Sequence, residues 1–291
     1  MKQLLILSGK GGTGKTTVAS SFIEFSHPDA FADCDVDAPN LHLVTKLKSK
    51  PEIKDYYGSS KAVIDPQRCI GCQQCMKHCR FHAIRKDNEI CKVNPYACEG
   101  CGVCEYVCPV QAVTLLPDIS GKTELYKDQQ VFSTAKLKMG RGNSGKLVSE
   151  VKQAMIKNTP EGELAIIDGS PGIGCPVIAS ISGVDMVLIV TEPSLSGWND
   201  LHRLLKTISL MKVKVGVCIN KYDIHEDNTI FIKDYLSHEK IPCLGCIPYD
   251  EHVIEAVNQG KTIGSQDTKA RHAIYNIYKE TLKLLYEGEN K

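Results

Sequence analysis

One short stretch near the start of the chain, residues 9–17, limits the possible folds more than any other feature. It fits the pattern G-x-x-x-x-G-K-[ST], with an apolar run before it and a run able to open a helix after it. Between a strand and a helix, such a loop binds a phosphate with its backbone N–H groups and with the N-terminus of the helix. The alternative to this phosphate-binding loop is a glycine-rich turn that binds no ligand. We expect Lys15 to reach the β- and γ-phosphates and Thr16 to bind Mg²⁺. The predicted loop residues are Gly9, Lys10, Gly11, Gly12, Thr13, Gly14, Lys15, Thr16 and Thr17.

Length, charge and cysteine content restrict the class of protein. The 291 residues are enough for one large α/β domain and a small one. A net charge of +1 gives no electrostatic reason to expect a nucleic acid or an anionic membrane as partner. No signal peptide is visible, and no apolar run approaches the ~20 residues of a membrane span, so we expect a cytoplasmic protein. In that compartment fourteen cysteines favour bound metal over disulfides.

A second lysine in the loop, Lys10, makes the loop sequence similar to that of a known superfamily. Gly-Lys-Gly-Gly-x-Gly-Lys-Thr-Thr resembles the deviant Walker A loop of the superfamily that contains MinD, ParA, Mrp and the nitrogenase iron protein. The resemblance implies an ATPase whose two subunits, identical or paralogous, face each other across their nucleotides. It also implies that Lys10 crosses to the partner's phosphates and acts on the transition state, as an arginine finger does.

Three alternating acids, Asp33, Asp35 and Asp37, follow a short predicted strand. A polar turn at a strand end is the alternative to a functional site. The segment resembles switch I of the same superfamily, which implies that Asp35 polarises the attacking water and that Asp33 supports the Mg²⁺ shell. Asp37 has no counterpart in that pattern.

Two further motifs follow predicted strands. By the same resemblance, Asp168 is the Walker B aspartate that holds Mg²⁺ through water, and Gly172 is the switch II glycine whose N–H senses a γ-phosphate. Residues 220–223 read N-K-x-D, the guanine-reading motif of GTPases. In the superfamily an asparagine here, Asn220, holds adenine with help from a later Ile-Pro segment that contains Pro248. We therefore predict ATP, with GTP as the alternative.

Apolar runs alternate with helical stretches through the second half of the chain. The predicted strands are residues 164–168, 186–193, 213–220 and 241–248, and the predicted helices are residues 147–151, 201–211, 230–237 and 274–285. This alternation predicts an α/β P-loop NTPase fold, a mostly parallel sheet with helices on both faces. Acidic Glu287 and Glu289 follow the last helix, where a MinD-type membrane-targeting helix would be basic, so we expect no membrane anchoring.

Eight cysteines form an internal repeat. The spacing C-x₂-C-x₂-C-x₃-C begins at Cys69 and again, 29 positions later, at Cys98. This is the pattern of bacterial two-cluster ferredoxins, in which the fourth cysteine of each run serves the other cluster. The alternatives are a disulfide knot or two Zn²⁺ sites, and zinc leaves the third cysteine of each run unexplained. The predicted 4Fe–4S ligand sets are Cys69, Cys72, Cys75 and Cys108 for one cluster, and Cys98, Cys101, Cys104 and Cys79 for the other.

The repeat defines an inserted domain. We predict an α+β ferredoxin domain over residues 61–117, closed by paired strands at its two ends, and a discontinuous P-loop domain over residues 1–60 and 118–291. Residues 45–60 are predicted to be a linker. Residues 140–146 also fit G-x-x-x-x-G-K, but no buried strand precedes them and Leu147 replaces the Mg²⁺-binding Ser or Thr, so we predict a loop.

Six cysteines lie outside the two runs, and most are expected to be small buried residues. Cys243 and Cys246 should lie on opposite faces of a strand, which is poor geometry for chelation. Cys175 follows Asp168 at the separation of a cluster ligand in the nitrogenase iron protein, without a clear partner ligand.

The motifs together predict an Mg²⁺-dependent ATPase with two redox-active 4Fe–4S clusters. We expect its nucleotide state to control electron transfer to a partner protein, or assembly of a metal or iron–sulfur cofactor on one. The alternatives are a GTP-dependent metal-insertion factor and a positioning ATPase whose ferredoxin module is only a redox sensor.

Overall fold

Strands and helices alternate along the chain in the computed structural model, which describes residues 1–45 and 47–288; the acidic Glu289 lies outside the described residues. The strands are β1 (Lys2–Leu7), β2 (Ala30–Asp33), β3 (Glu52–Tyr57), β4 (Lys61–Ile64), β5 (Ile84–Asp87), β6 (Ile90–Val93), β7 (Val113–Leu116), β8 (Ile119–Lys127), β9 (Val131–Leu137), β10 (Leu164–Asp168), β11 (Met186–Thr191), β12 (Lys214–Asn220) and β13 (Cys243–Ile247). The helices are α1 (Lys15–Ser26), α2 (Gln74–Lys77), α3 (Val103–Tyr106), α4 (Ser144–Lys157), α5 (Cys175–Ile181), α6 (Leu195–Ser209), α7 (Glu226–His238), α8 (His252–Asn258) and α9 (Lys269–Tyr286).

The described chain divides into two compact units. The first contains Met1–Ile53, Glu124–Ala135 and the described residues from Ser144 onward, and the second contains Lys54–Thr123 and Lys136–Asn143. The predicted insertion, residues 61–117, falls inside the second unit.

A parallel sheet forms the centre of the first unit. Its strand order is β13-β12-β11-β1-β10-β2-β9, and neighbouring strands in this series run parallel. In the sheet order β8 and β3 follow β9, and the division between the units falls within these three strands. The predicted α/β fold with a mostly parallel sheet is confirmed.

The central strands are apolar on both faces because helices cover both sides of the sheet. Leu4 and Ile6 belong to the core that α1 and α9 cover, whereas Leu5 and Leu7 are equally buried and point to the opposite face. Helix α9 contributes Ile274, Ile277 and Leu285 to that core, as its predicted docking on the sheet requires.

The second unit repeats itself as the cysteine spacing does. The series β4, α2, β5 recurs as β6, α3, β7 with each element shifted by 29 positions, the separation of Cys69 from Cys98. Strand β4 pairs antiparallel with β7, and β5 pairs antiparallel with β6. Each strand of the first half therefore pairs with a strand of the second half. The predicted pairing of the strands at the two ends of the cysteine repeat, β4 and β7, is confirmed.

Three sequence predictions about elements are wrong. Residues 45–60 are not all linker, because β3 lies within them and its Tyr56 is buried. Residues 134–139 were expected to be too mixed for a strand, yet they contain the end of β9, whose Ser133 and Thr134 are buried polar residues. The helix expected at residues 147–151 begins earlier, at Ser144. In the described part of the chain, no helix is long and apolar enough to cross a membrane.

Candidate functional site

The glycine-rich loop lies between β1 and α1, at the carboxyl edge of the parallel sheet. Gly12 and Gly14 have φ angles of 82° and 91°, which favour glycine. Asn220, at the end of β12, packs against Gly14, and its Nδ2 donates to the carbonyl oxygen of Thr13 at 2.7 Å. The first turn of α1 carries no acidic residue, so its positive N-terminal dipole remains suited to an anion.

Asp168 joins the loop to the neighbouring strand β10. Its Oδ1 accepts a hydrogen bond from Lys15 Nζ at 2.5 Å, and its Oδ2 accepts one from Thr16 Oγ1 at 2.7 Å. Burial alone would lower the pKa of Lys15, but the charge of Asp168 and its hydrogen bond outweigh burial and raise this pKa. Lys15 is therefore a buried, fixed positive charge at neutral pH.

Asp33, at the end of β2, holds the loop that carries Asp35. Its Oδ1 accepts from the Asp35 backbone N–H at 3.0 Å, and its Oδ2 accepts from the N–H groups of Asn40 and Leu41 at 2.9 Å each. Burial and the neighbouring charge of Asp168 raise the pKa of Asp33 to about 7. Burial also raises the pKa of Asp35, and the charge of Lys15 opposes that rise. The structure thus brings the predicted acids and Lys15 into one electrostatic cluster.

Lys10 has partners within its own chain, which the sequence did not reveal. Its Nζ lies 2.6 Å from Glu192 Oε1 and donates to Ser196 Oγ at 2.7 Å and to Ser194 Oγ at 3.2 Å. Burial alone would raise the pKa of Glu192, but Lys10 outweighs it and lowers this pKa. The signal that could have found this partner is the acid directly after β11 at the carboxyl edge of the sheet.

The remaining predicted nucleotide-binding segments contain hydrogen bonds within the chain itself. The N–H of Gly172 donates to the carbonyl oxygen of Ser8 at 2.9 Å. Asp223 Oδ1 accepts the backbone N–H of Tyr249 at 2.8 Å. Asn220 pairs with Ile247 across β12 and β13, so Pro248 follows directly at the same edge of the sheet.

In the second unit the two predicted ligand sets line two separate pockets. One, with about 300 Å³ of empty space, is lined by Cys69, Cys72, Cys75 and Cys108, and the other, with about 340 Å³, by Cys79, Cys98, Cys101 and Cys104. Backbone N–H groups of three alanines donate to cysteine sulfurs: Ala62 to Cys98, Ala83 to Cys79 and Ala112 to Cys108, at 3.5, 3.4 and 3.2 Å. All fourteen cysteines are free thiols. Among the described residues, no group of three or more His, Cys, Asp or Glu side chains is arranged to hold a metal ion.

The other cysteines divide into buried and accessible ones. Cys34 and Cys218 are buried, as expected, and Cys91 is buried in the first pocket within hydrogen-bonding reach of Cys75. Cys175 is exposed at the start of α5. The expectation that Cys243 and Cys246 lie on opposite faces is wrong, because a register shift in β13 pairs them with Val217 and Ile219, which share one face of β12.

Comparisons with known proteins agree with this fold. The sequence profile described as the CobQ/CobB/MinD/ParA nucleotide binding domain matches residues 4–263. An uncharacterized protein of Methanocaldococcus jannaschii is 31% identical over 283 residues, 96% of this chain and 95% of the relative. The septum site-determining protein MinD of Bacillus subtilis is 25% identical over 283 residues, 93% of this chain and 84% of the relative. The structure of MinD from Pyrococcus horikoshii complexed with Mg-ADP, 18% identical, has a TM-score of 0.57 and covers 97% of this chain and 96% of that one.

Proposed function

Because the chain belongs to the CobQ/CobB/MinD/ParA family of nucleotide-binding proteins and is a P-loop ATPase of the MinD/ParA type, we propose that its ATP cycle controls a two-cluster ferredoxin unit carried in the same chain. Nucleotide state then governs electron transfer to a partner protein, or cofactor assembly on one. The observation that carries this proposal is that the eight predicted ligand cysteines line two pockets, with one predicted set of four in each.

The nucleotide half of the proposal rests on the cluster around Asp168. Lys15 turns from Asp168 to the β- and γ-phosphates when Mg·ATP binds, and Thr16 turns its hydroxyl to Mg²⁺. Asp168 then holds Mg²⁺ through water, and Asp33 keeps the Asp35 loop in place through its three backbone hydrogen bonds. Asp35 orients the attacking water, while Gly172 exchanges its bond to Ser8 for the γ-phosphate.

Lys10 acts across a dimer in this proposal. Its bonds to Glu192, Ser194 and Ser196 keep the ammonium group at the surface of its own subunit. When two subunits meet over ATP, Lys10 leaves these partners for the phosphates of the facing subunit. The dimer is of identical or paralogous chains, and Glu192 supplies a competing site that holds the lysine between cycles.

Adenine is the favoured base. A guanine-reading aspartate needs free carboxylate oxygens for the base, whereas Asp223 accepts the N–H of Tyr249 at 2.8 Å. Asn220 and Pro248 then hold adenine at the carboxyl ends of β12 and β13. GTP stays the alternative, because the second oxygen of Asp223 has room for a further donor.

The donor chemistry of the second unit fits two 4Fe–4S clusters. Each pocket offers three thiols from one run and the fourth from the other, as two-cluster ferredoxins do. Backbone N–H groups of Ala83 and Ala112 aim at the sulfurs of the exchanged cysteines, Cys79 and Cys108, which stabilises them as thiolates. When bound, each cluster supplies one-electron redox chemistry.

The composition of the second unit's core favours a bound cross-linking group over an unmetallated fold. The hydrophobic core cluster of the second unit contains eight buried residues, and four of them are cysteines: Cys75, Cys91, Cys98 and Cys104. So small a core needs a cross-linking group to be stable.

A positioning ATPase whose ferredoxin unit is only a redox sensor is the second candidate. The comparisons support it better than electron delivery, since several relatives are septum site-determining proteins. The two candidates share the ATPase cycle and the clusters, and they differ in whether electrons leave the protein for a partner.

Iron and sulfide analysis of anaerobically isolated protein tests the cluster assignment. We expect about eight irons and eight inorganic sulfides per chain and an absorption band near 400 nm. Cys108→Ser should lose one cluster and Cys79→Ser the other, while the matched control Cys218→Ser, in the core of the first unit, should keep both. Protein with bound zinc and no iron contradicts the proposal.

A further inference from the structure

A pair of thiols lies on β13, outside both sites described above. β13 is the terminal strand in the sheet order of the described chain, with β12 as its neighbour. Cys243 is exposed, Cys246 is half-buried, and the two line one open pocket with Gly245, Tyr222 and Lys233. Solvent and small molecules therefore reach both sulfurs.

A β-bulge brings the two thiols together. Cys243 pairs with Val217, but Gly245 pairs with Cys218 and Cys246 with Ile219, so Leu244 is an extra residue in β13. In a regular strand, residues three apart point to opposite faces; one extra residue turns them to the same face. Gly245 has a φ of 146°, and a Cβ there would lie 2.7 Å from Ile277 Cγ1. The glycine therefore allows the bulge that joins the thiols.

The surroundings make the two sulfurs chemically unequal. The hydrogen bond from Cys243 lowers the pKa of Cys246 to about 6, and the charge and hydrogen bond of Lys233 from α7 add to that effect against burial. The same hydrogen bond raises the pKa of Cys243. The other titratable groups near the pair are Tyr222, which follows β12 and lines the same pocket, and Cys218 on β12, whose pKa is raised by burial and by the charge of Cys246. Because its pKa is lowered and the ammonium group of Lys233 lines the same pocket, we assign Cys246 as the attacking sulfur and Cys243 as the resolving sulfur.

We propose that Cys243 and Cys246 form a thiol–disulfide exchange site that reacts with a small-molecule disulfide. The Cys246 thiolate attacks one sulfur of the disulfide, forms a mixed disulfide and releases one thiolate. Cys243 then gives up its proton and attacks Cys246 Sγ, which forms the Cys243–Cys246 bond and releases the second thiolate. The protein dithiol is oxidised by two electrons, and the disulfide is reduced to two thiols.

Peptide-resolved alkylation of the full chain tests this proposal. Trypsin releases residues 241–261, which contain no other cysteine, and residues 215–221, which contain only the buried control Cys218. Anaerobic protein is treated with excess glutathione disulfide, quenched in acid, alkylated and digested. We expect peptide 241–261 to be lighter by two hydrogens and unalkylated, while peptide 215–221 carries one alkyl group. A 241–261 peptide alkylated at both cysteines overturns the proposal.

Three variants resolve the order of the two attacks. Cys243→Ser should stop at one glutathione on Cys246, whereas Cys246→Ser should react at least about tenfold more slowly. Lys233→Gln should slow alkylation of Cys246 about fivefold to tenfold near pH 6.5 and little near pH 9, with the exposed Lys206→Gln as matched control. Equal reaction rates of the two cysteines, or bound Zn²⁺ that protects both from glutathione disulfide, overturn the assignment.

Discussion

Asp168 is the residue on which the nucleotide chemistry depends. Each of its carboxylate oxygens is already engaged, one by Lys15 Nζ and the other by Thr16 Oγ1. These are the two side chains expected to bind the phosphates and Mg²⁺, so binding of nucleotide exchanges one set of charge-assisted hydrogen bonds for another. Lys15 and Thr16 are therefore both bonded to Asp168. We expect the affinity for nucleotide to depend on the difference in free energy between these hydrogen bonds and those made to the nucleotide.

Lys15→Ala should weaken ATP binding about 10- to 100-fold, since it removes a charged hydrogen-bond donor to phosphate and leaves Asp168 buried without its cation. Equilibrium binding of a fluorescent ATP analogue measures this effect. Unchanged affinity in the variant would contradict the role given to Lys15.

Asp35→Ala should keep ATP binding and lose turnover by about 10²- to 10⁴-fold, because the water would lose the carboxylate that orients it. The exposed Asp37, two residues further along the same loop, provides the matched control, and Asp37→Ala should keep the wild-type rate. Phosphate release under saturating Mg·ATP separates the two variants. Equal rates in both would remove Asp35 from the water-activating position.

Local motifs predict which residues contact the nucleotide, but they do not predict the partners of these residues in the folded chain. The loop, Asp33, Asp35 and Asp168 follow from short patterns, because strand ends in a parallel sheet meet at one edge. The ion pair of Lys10 with Glu192 joins residues that are far apart in sequence: the acid directly after β11 marks Glu192 as a candidate but does not identify Lys10 as its partner. The assignment of Lys10 to the partner's phosphates is a prediction from resemblance, and this competing ion pair became visible only in the structure.

Among the elements, β13 differs most from its predicted form. The apolar run 241–248 correctly predicts a strand, but the alternation of its side chains fails at Leu244, where the bulge adds a residue. The alternation of side chains along a strand predicts which face of the sheet a residue occupies only while the strand keeps its register with its neighbour. The glycine within the run is the signal that could have indicated the irregularity.

Gly245→Ala should lower the free energy of unfolding by about 1–3 kcal/mol, because an alanine at φ 146° is strained and its Cβ would contact Ile277. The matched control is Gly183→Ala: Gly183 also has a positive φ, 78°, but a Cβ there meets nothing within 4 Å. Urea denaturation of both variants isolates the contact from the backbone strain. If Gly245→Ala lowers the free energy of unfolding no more than Gly183→Ala does, helix α9 moves enough to accommodate the methyl group, and the predicted contact with Ile277 has no cost.

Strands β3 and β9 were missed for a different reason. Neither is an unbroken apolar run: β3 carries Glu, Lys and Asp with one buried tyrosine, and the apolar residues of β9 are interrupted by the buried Ser133 and Thr134. These two strands are stabilised by pairing with neighbouring strands, and amino-acid composition does not indicate which segments will pair. The repeat of the second unit was predictable because the same spacing occurs twice in one sequence.

At the scale of the whole molecule, ATP-favoured dimerisation is the expected consequence of Lys10. Sedimentation of Asp35→Ala protein should give a dimer with ATP and a monomer with ADP. Adding Lys10→Ala should weaken the ATP dimer, while Glu192→Ala should not, because Glu192 only holds Lys10 within its own subunit. A monomer with ATP in the Asp35→Ala protein would contradict the role in trans.

The order of the chain supports the proposed coupling between nucleotide and clusters. The loop that carries Asp35 leads through residues 41–53 into the second unit, which begins at Lys54. In the proposed cycle Asp35 contacts the attacking water only with ATP bound, so we expect this loop to change with nucleotide state. A coupling free energy of about 1–3 kcal/mol is typical of such linked sites. For a one-electron couple, where about 59 mV is tenfold, it corresponds to a shift on the order of 50–100 mV.

An EPR-monitored redox titration of the full chain tests the central claim most directly. The protein is titrated without nucleotide, with ADP and with a non-hydrolysable ATP analogue, and Lys15→Ala serves as the control that binds nucleotide poorly. We predict two 4Fe–4S signals whose midpoint potentials shift by on the order of 50–100 mV with the ATP analogue in the wild-type protein and not in the variant. No iron–sulfur signal, or potentials that are the same in all three states, would contradict the account.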